Sequence, residues 1–484
     1  MRWVAVVAAA ALLTAGCAAA PAPSIVWTSC GDAELDAAGA SCADITVPLD
    51  HGQPDGRTIT VAISRITASD RAGRLGVLMH GTGGGPGGLG LDGPLLTRAA
   101  MGPELAARYD LVGMDPRGVG RSSPLRCGLP GEWIRSVGFD RAAFDETVEY
   151  QRDLVRRCWE RHADVLPHIT TADTARDMDL VRGLLGEERM SYIGVSYGTY
   201  LGLVYTSMFG DRVDKIVFDS SVDPGRYPAH TLADIGPSNE RYLDAWAAWT
   251  ARHHERYGLG RTAAEVRATV EGIVRGAADE PLRFGQHALD EHTVPALLSG
   301  IMTDDRRYAE QAAVVAELRR AARGERVTPS EAIAEYLLPP DEGLDNALSM
   351  NLAILCSDGP VPLDIEGFRA EVERSRATQP IYGPLMSTVH PCAFWPRPPV
   401  EGSVRTGNDH PALLVQNTGD MRTHYEGARA LQRLLPRSRM VALEGAAHHG
   451  SYGVYPNSCV TATVNSYLRD GTLPAADVTC TKDR

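Results

Sequence analysis

The sequence has no excess of positive charge. Its 48 lysines and arginines are outnumbered by 61 aspartates and glutamates, for a net charge of −13. That balance argues against nucleic acid or an anionic lipid surface as a main partner. No apolar stretch reaches transmembrane length; the run at residues 3–13 has only 11 residues. No pair of cysteines has Cys-x-x-Cys spacing, which argues against zinc and thioredoxin-type chemistry. The glycine-rich stretch "GTGGGPGGLG" (81–90) has neither the Lys-Ser/Thr of a phosphate-binding loop nor dinucleotide-binding spacing. There is no internal repeat, and no low-complexity tract beyond the leader. No metal or cofactor is expected.

What is present begins with export. Arg2 precedes the short apolar run, and "LLTAGC" ends at Cys17. This resembles a bacterial lipoprotein signal (1–17), in which Cys17 is lipidated and becomes the mature N-terminus. Residues 18–26, rich in alanine and proline, then serve as a tether. Plain secretion without the lipid is the alternative; either way the chain is extracytoplasmic. Eight cysteines remain, an even number suited to disulfides outside the cytoplasm. Many connectivities are open; the sequential one is Cys30–Cys42, Cys127–Cys158, Cys356–Cys392 and Cys459–Cys480.

With 484 residues, 44% hydrophobic and 23% charged, the chain can bury a large core. From 27 to 224, apolar strand-like runs alternate with helical patterns, as in "GVLMH" (76–80), "YDLVGMD" (109–115) and "KIVFD" (215–219). The first two strands, "ITVPLD" (45–50) and "TITVAISRI" (58–66), read as antiparallel edge strands. Such alternation implies an α/β fold with a mostly parallel sheet. From 225 to 400 the pattern is helical, without strand alternation, and reads as an insertion capping the sheet. The sheet pattern returns in 401–484 with "ALLVQN" (412–417) and "RMVAL" (439–443). A monomer is expected.

Chemistry concentrates at "SYIGVSYGTYLG" (191–202). A Gly-x-Ser-x-Gly between a strand and a helix is a nucleophile elbow: the strained serine needs small neighbours, here Gly194 and Gly198. Ser196 is the expected nucleophile. In the α/β-hydrolase architecture the acid and base follow in that order, each after a late strand. Asp420 in "NTGDMRTH" and His449 in "GAAHHGSYG" fit. His448 adjoins His449, and Asp219 ends an earlier strand; both stay open as alternatives. The oxyanion hole needs the Tyr197 N–H and a second N–H from the glycine-rich loop, taken as Gly85, with Gly84 and Thr82 as rivals. Asp115, in "DPRG", reads as a turn residue ordering its loop, with Arg117 as a partner.

Together, "GGPGGLG", "DPRGVGRSSPLRC", "YIGVSYGTYLGLVY", "GDMRTHYEGA" and "HHGSYGVYPNSCV" resemble the secreted tripeptidyl aminopeptidases of actinomycetes. These are α/β-hydrolase serine exopeptidases related to the proline iminopeptidases. The resemblance runs from Trp27 to Cys480. It implies a triad of Ser196, Asp420 and His449 under a helical cap, acting on peptide substrates. It departs where Thr82-Gly83 replaces Asn-Pro, His448 replaces Gly, and Thr423-His424 replaces Thr-Pro. An aminopeptidase must also hold a free α-ammonium on a carboxylate; Asp358 and Glu426 are the candidates. An esterase or lipase on the same triad is the alternative function.

Overall fold

Alternation along each strand decides which face it shows to which layer. The structure, a computed structural model, describes residues 25–81, 83–396 and 404–483. Cys17, the leader, most of the tether, Thr82 and the 400/401 boundary lie outside the described residues. Nine strands form one sheet: β1 (Ser41–Pro48), β2 (Thr58–Ile66), β3 (Val77–Gly81), β4 (Asp110–Met114), β5 (Met190–Val195), β6 (Val213–Asp219), β9 (Leu413–Asn417), β10 (Arg439–Glu444) and β11 (Val478–Thr481). Their order is β1-β2-β4-β3-β5-β6-β9-β10-β11. β1 and β2 pair antiparallel, as does β2 with β4; every other pair is parallel. This is the α/β-hydrolase fold.

The inner strands are buried on both faces, so their sequences are continuous apolar runs. Val77, Met79, Tyr192, Ile216, Phe218, Leu414 and Met440 face one layer. Leu78, Ile193, Val217, Leu413, Val415, Val441 and Leu443 face the other. The first layer is covered by helices including Arg141–His162, Thr171–Leu184 and Tyr197–Phe209; the second by helices that include Gly93–Met101 and Ser458–Asp470. β1, the outermost strand of the sheet, pairs with β2 and, through Cys42, makes one bridge to Thr28 on its other edge; from Ala43 to Val47 it alternates buried and exposed.

Between β6 and β9 the chain is helical and caps the sheet, with its own apolar core around Trp246, Val270, Leu298 and Val315. Two differences from the sequence reading appear here. The cap contains a short antiparallel hairpin, β7 (Leu282–Phe284) with β8 (His287–Leu289); strands of three residues leave no periodic signal. The helix Glu342–Asp358 packs into the core of the sheet layer, not into the cap's, through Met350, Leu352 and Ile354. The bridge Cys356–Cys392 lies at its end, and Cys30–Cys42, Cys127–Cys158 and Cys459–Cys480 are also formed.

A buried ion pair ties the first half together. Arg117 is fully buried, with Nε and Nη2 donating to both Asp177 oxygens at 2.8 and 2.7 Å. Its remaining donors reach the carbonyls of Pro48, Leu49 and His168. Asp115 takes different partners, the N–H groups of Gly90, Leu91 and Arg121. It thereby orders the far end of the glycine-rich loop, and Arg117 is not its partner.

Candidate active site

The C-terminal ends of β5, β6, β9 and β10, adjacent in the sheet, converge on one rim. At the end of β5, Ser196 takes φ 56° and ψ −124°, a conformation rare for any residue but glycine. Its N–H donates to the Asp219 carbonyl at 3.0 Å, and its carbonyl accepts from Thr199 N–H. The turn is so tight that a Cβ on Gly194 would lie 2.3 Å from the Gly198 carbonyl oxygen. Only glycine fits there. The helix Tyr197–Phe209 starts at once and turns its N-terminus toward the serine.

Asp420 lies just past β9 and His449 just past β10. His449 Nδ1 is 3.1 and 3.0 Å from the two Asp420 carboxylate oxygens. Asp420 is buried and accepts further bonds from the N–H groups of Arg422 and Thr423 and from Thr423 Oγ1. Burial pushes its carboxyl up, but the His449 ring and these bonds outweigh it and hold it below the ordinary aspartate value. Nδ1 thus faces the acid, leaving Nε2 as the other ring nitrogen. Ser196 and His449 line the same cavity, without a hydrogen bond between them among the described residues. Such contacts tighten when substrate fills a site.

The alternatives have other partners. His448 Nδ1 lies 3.1 Å from the Gly450 carbonyl, and its Nε2 lies 3.8 Å from Asp304 in the cap. Asp219 is fully buried and accepts from the N–H groups of Ser451 and Tyr452, at distances down to 2.7 Å, and from Ser220 Oγ. Ser220 Oγ accepts in turn from Gly450 N–H. Asp219 therefore fastens the loop just beyond His449 without touching its ring. Burial pushes its carboxyl up to about 6.

The cavity has a volume of about 440 Å³ and is lined by Ser196, Tyr197, His449, Gly84 and Gly85, among others. The Tyr197 and Gly85 N–H groups have no acceptor among the described residues. Gly85 takes φ 80°, and a Cβ there would crowd Asn351 Nδ2 at 2.9 Å. Asn351 braces the loop by donating to the Pro86 carbonyl at 3.0 Å and accepting from Trp133 Nε1 at 2.8 Å.

Neither Asp358 nor Glu426 lines this cavity. Asp358 sits behind the wall, accepting from Thr171 N–H and Oγ1 at 2.7 and 2.6 Å and from the Tyr227 hydroxyl at 2.8 Å. Burial pushes it up to about 6. Thr171 Oγ1 is 2.6 Å from the Tyr197 hydroxyl, so Asp358 braces two aromatic rings of the wall. Glu426 is exposed in the first turn of its helix. The carboxylate that does line the cavity is Glu132, which sequence reasoning missed. It keeps water access at the cavity mouth, yet the surrounding protein raises its carboxyl above the ordinary range. Glu132, Ile134, Gly300 and Tyr336 also line a second, outer cavity of about 780 Å³. Arg422 and His390 also line the inner wall and were missed. Burial pushes His390 down to about 4, so its ring is neutral.

Against this geometry stand the relatives. The chain is 34% identical to a tripeptidyl aminopeptidase of Streptomyces lividans over 457 residues, spanning 91% of this chain and 83% of that protein. The chain belongs to the tripeptidyl aminopeptidase family. A family model described as "TAP-like protein" matches residues 379–480, the stretch that carries Asp420 and His449. Serine protease Hip1 of Mycobacterium tuberculosis is 27% identical, covering 94% of this chain and 91% of that one. Carboxylesterase B of the same organism is 30% identical, covering 95% and 90%. Among the described residues no three His, Cys, Asp or Glu side chains cluster to hold a metal. No described helix is long and apolar enough to cross a membrane.

Proposed function

We propose that this chain is an extracytoplasmic serine exopeptidase that releases short peptides from the free N-terminus of peptide substrates. The observation that carries the reading is the His449–Asp420 contact, 3.0 Å from Nδ1 to the carboxylate, on the wall of the cavity that also holds the strained Ser196. Ser196 Oγ attacks the scissile carbonyl while His449 Nε2 takes its proton. Asp420 fixes the ring tautomer and stabilises the imidazolium. The Tyr197 and Gly85 N–H groups receive the oxyanion. Imidazolium returns the proton to the leaving amine; water, deprotonated by the same ring, then frees the acyl peptide.

Glu132 is the group that accepts the substrate's α-ammonium. It is a cavity-lining carboxylate, whereas Asp358 and Glu426 lie elsewhere. The N-terminal lipid anchor at Cys17 remains part of this reading, as does a monomeric state.

The test is labelling by a fluorophosphonate together with turnover of tripeptidyl aminomethylcoumarins. Labelling at Ser196 and cleavage of free but not N-acetylated substrates are expected. Labelling at another residue removes the mechanism. The likeness to a carboxylesterase favours a second reading, an esterase on the same triad. Cleavage of short acyl esters with no cleavage of any free-amine peptide would establish it.

A further inference from the structure

The inner cavity is lined by a half-buried cation that the proposed mechanism does not use. Arg422 lies two residues after Asp420, and its N–H donates to that carboxylate at 2.8 Å. Its backbone is therefore fixed beside the reacting centre. Its side chain lines the cavity with Thr423 and His449. Nη1 donates to Ser299 Oγ at 2.9 Å and Nη2 to the Ser299 carbonyl at 2.8 Å. Ser299, on the cap helix Val294–Ile301, is buried. Two bonds leave part of the guanidinium's donor set unspent.

An arginine withdrawn from most of the solvent ordinarily has a carboxylate against it, because an unpaired charge is costly to desolvate. Arg117 meets that rule with Asp177. Arg422 does not: among the described residues no carboxylate lies within ion-pair distance of its guanidinium. Asp420 is nearest in sequence, but its oxygens are taken by His449, Thr423 and backbone N–H groups. Tyr382, Asp420 and, more weakly, Glu132 attract it through space, without an ion pair. Desolvation lowers the Arg422 pKa, the direction expected for a cation whose neighbours do not fully compensate its charge. A planar fork held rigid at one edge by Ser299 and open toward substrate is suited to grip a carboxylate.

We infer that Arg422, held by Ser299, is a carboxylate-binding subsite next to the scissile bond, which gives the enzyme a preference for an acidic substrate residue there. The inference rests on the serine peptidase reading above. The carboxylate comes from a glutamate or aspartate on either the acyl side or the leaving side of the bond. Ammonium on Glu132 and carboxylate on Arg422 would then fix a peptide at two points.

The experiment compares isosteric pairs. Ala-Ala-Glu and Ala-Ala-Gln aminomethylcoumarins probe the acyl side. Ala-Ala-Ala-Glu-Ala and Ala-Ala-Ala-Gln-Ala amides, followed by mass spectrometry, probe the leaving side. Ala-Ala-Ala aminomethylcoumarin reports whether the peptidase reading holds at all. In the wild-type enzyme, kcat/KM for the acid should exceed that for the amide by about tenfold or more on one side. Arg422→Gln should bring that ratio near one. If Arg422→Gln does not fold, as judged by fluorophosphonate labelling, Arg422→Lys keeps the charge without the fork and should also lower the ratio. Cleavage of the alanyl substrate with no acid preference on either side overturns the inference and leaves the peptidase reading intact. A strong preference that survives in the folded variant equally overturns the assignment to Arg422.

Discussion

Asp219 and Asp420 are two buried aspartates on one rim with opposite surroundings. Asp420 touches the imidazole and is held ionised; Asp219 touches the backbone beyond it and the Ser220 hydroxyl, and is pushed toward its neutral form. Substitution should separate them. Asp420→Asn should lower kcat about 10⁴-fold, because the amide favours the wrong histidine tautomer. Asp219→Asn should cost on the order of 10–100-fold, since it only loosens the loop that positions His449. Single-turnover acylation rates of both variants would check this, and equal losses would mean that Asp219 does more than hold the loop. The positions of Ser196, Asp420 and His449 could be read in the sequence because each follows an apolar strand in a glycine-bearing turn. Glu132 and Arg422 could not. Both line the cavity beside residues far away in the chain, such as Ser299 and Tyr336, and no local pattern encodes that proximity.

At the level of elements, the central strands were legible because burial on both faces makes them unbroken apolar runs. The helix Arg141–His162 escaped because it is dominated by charge: its arginines pair with Asp145, Asp153 and Glu160 along an exposed face. β11 escaped because "VTCT" is four residues long and pairs on one side only. The helix Thr171–Leu184 is tied to β1 and the "DPRG" turn by Arg117–Asp177. Asp177→Ala leaves a buried guanidinium uncompensated and should cost about 3–5 kcal/mol. Chemical denaturation would measure it. A loss under 1 kcal/mol would show that the three carbonyls alone satisfy Arg117.

For the whole molecule, acid and redox conditions set the stability. Asp219 and Asp358 have folded pKa values of about 6, above that of an unfolded aspartate. The folded state holds their protons more tightly. Their contribution to stability is therefore fully present below about pH 4 and is lost as pH rises through about 6. Asp420, shifted downward, acts in the opposite sense, and its contribution is lost only as the pH falls below about 4. Thermal melts across this range should show a smaller slope between pH 4 and 6 in Asp358→Asn than in the wild type. The Cys356–Cys392 bridge joins the helix bearing Asn351 to the segment bearing His390. Replacing both cysteines by serine should cost about 2–4 kcal/mol and lower activity as well, because that helix braces the glycine-rich loop.

Ser196 is expected to cut peptides only at a distance counted from a free amine. Product masses from one decapeptide, offered both with a free N-terminus and acetylated, test it most directly. Short N-terminal fragments are expected from the free peptide, none from the acetylated one, and none from either with Ser196→Ala. Internal cleavage of the acetylated peptide, or undiminished cleavage by Ser196→Ala, would contradict it.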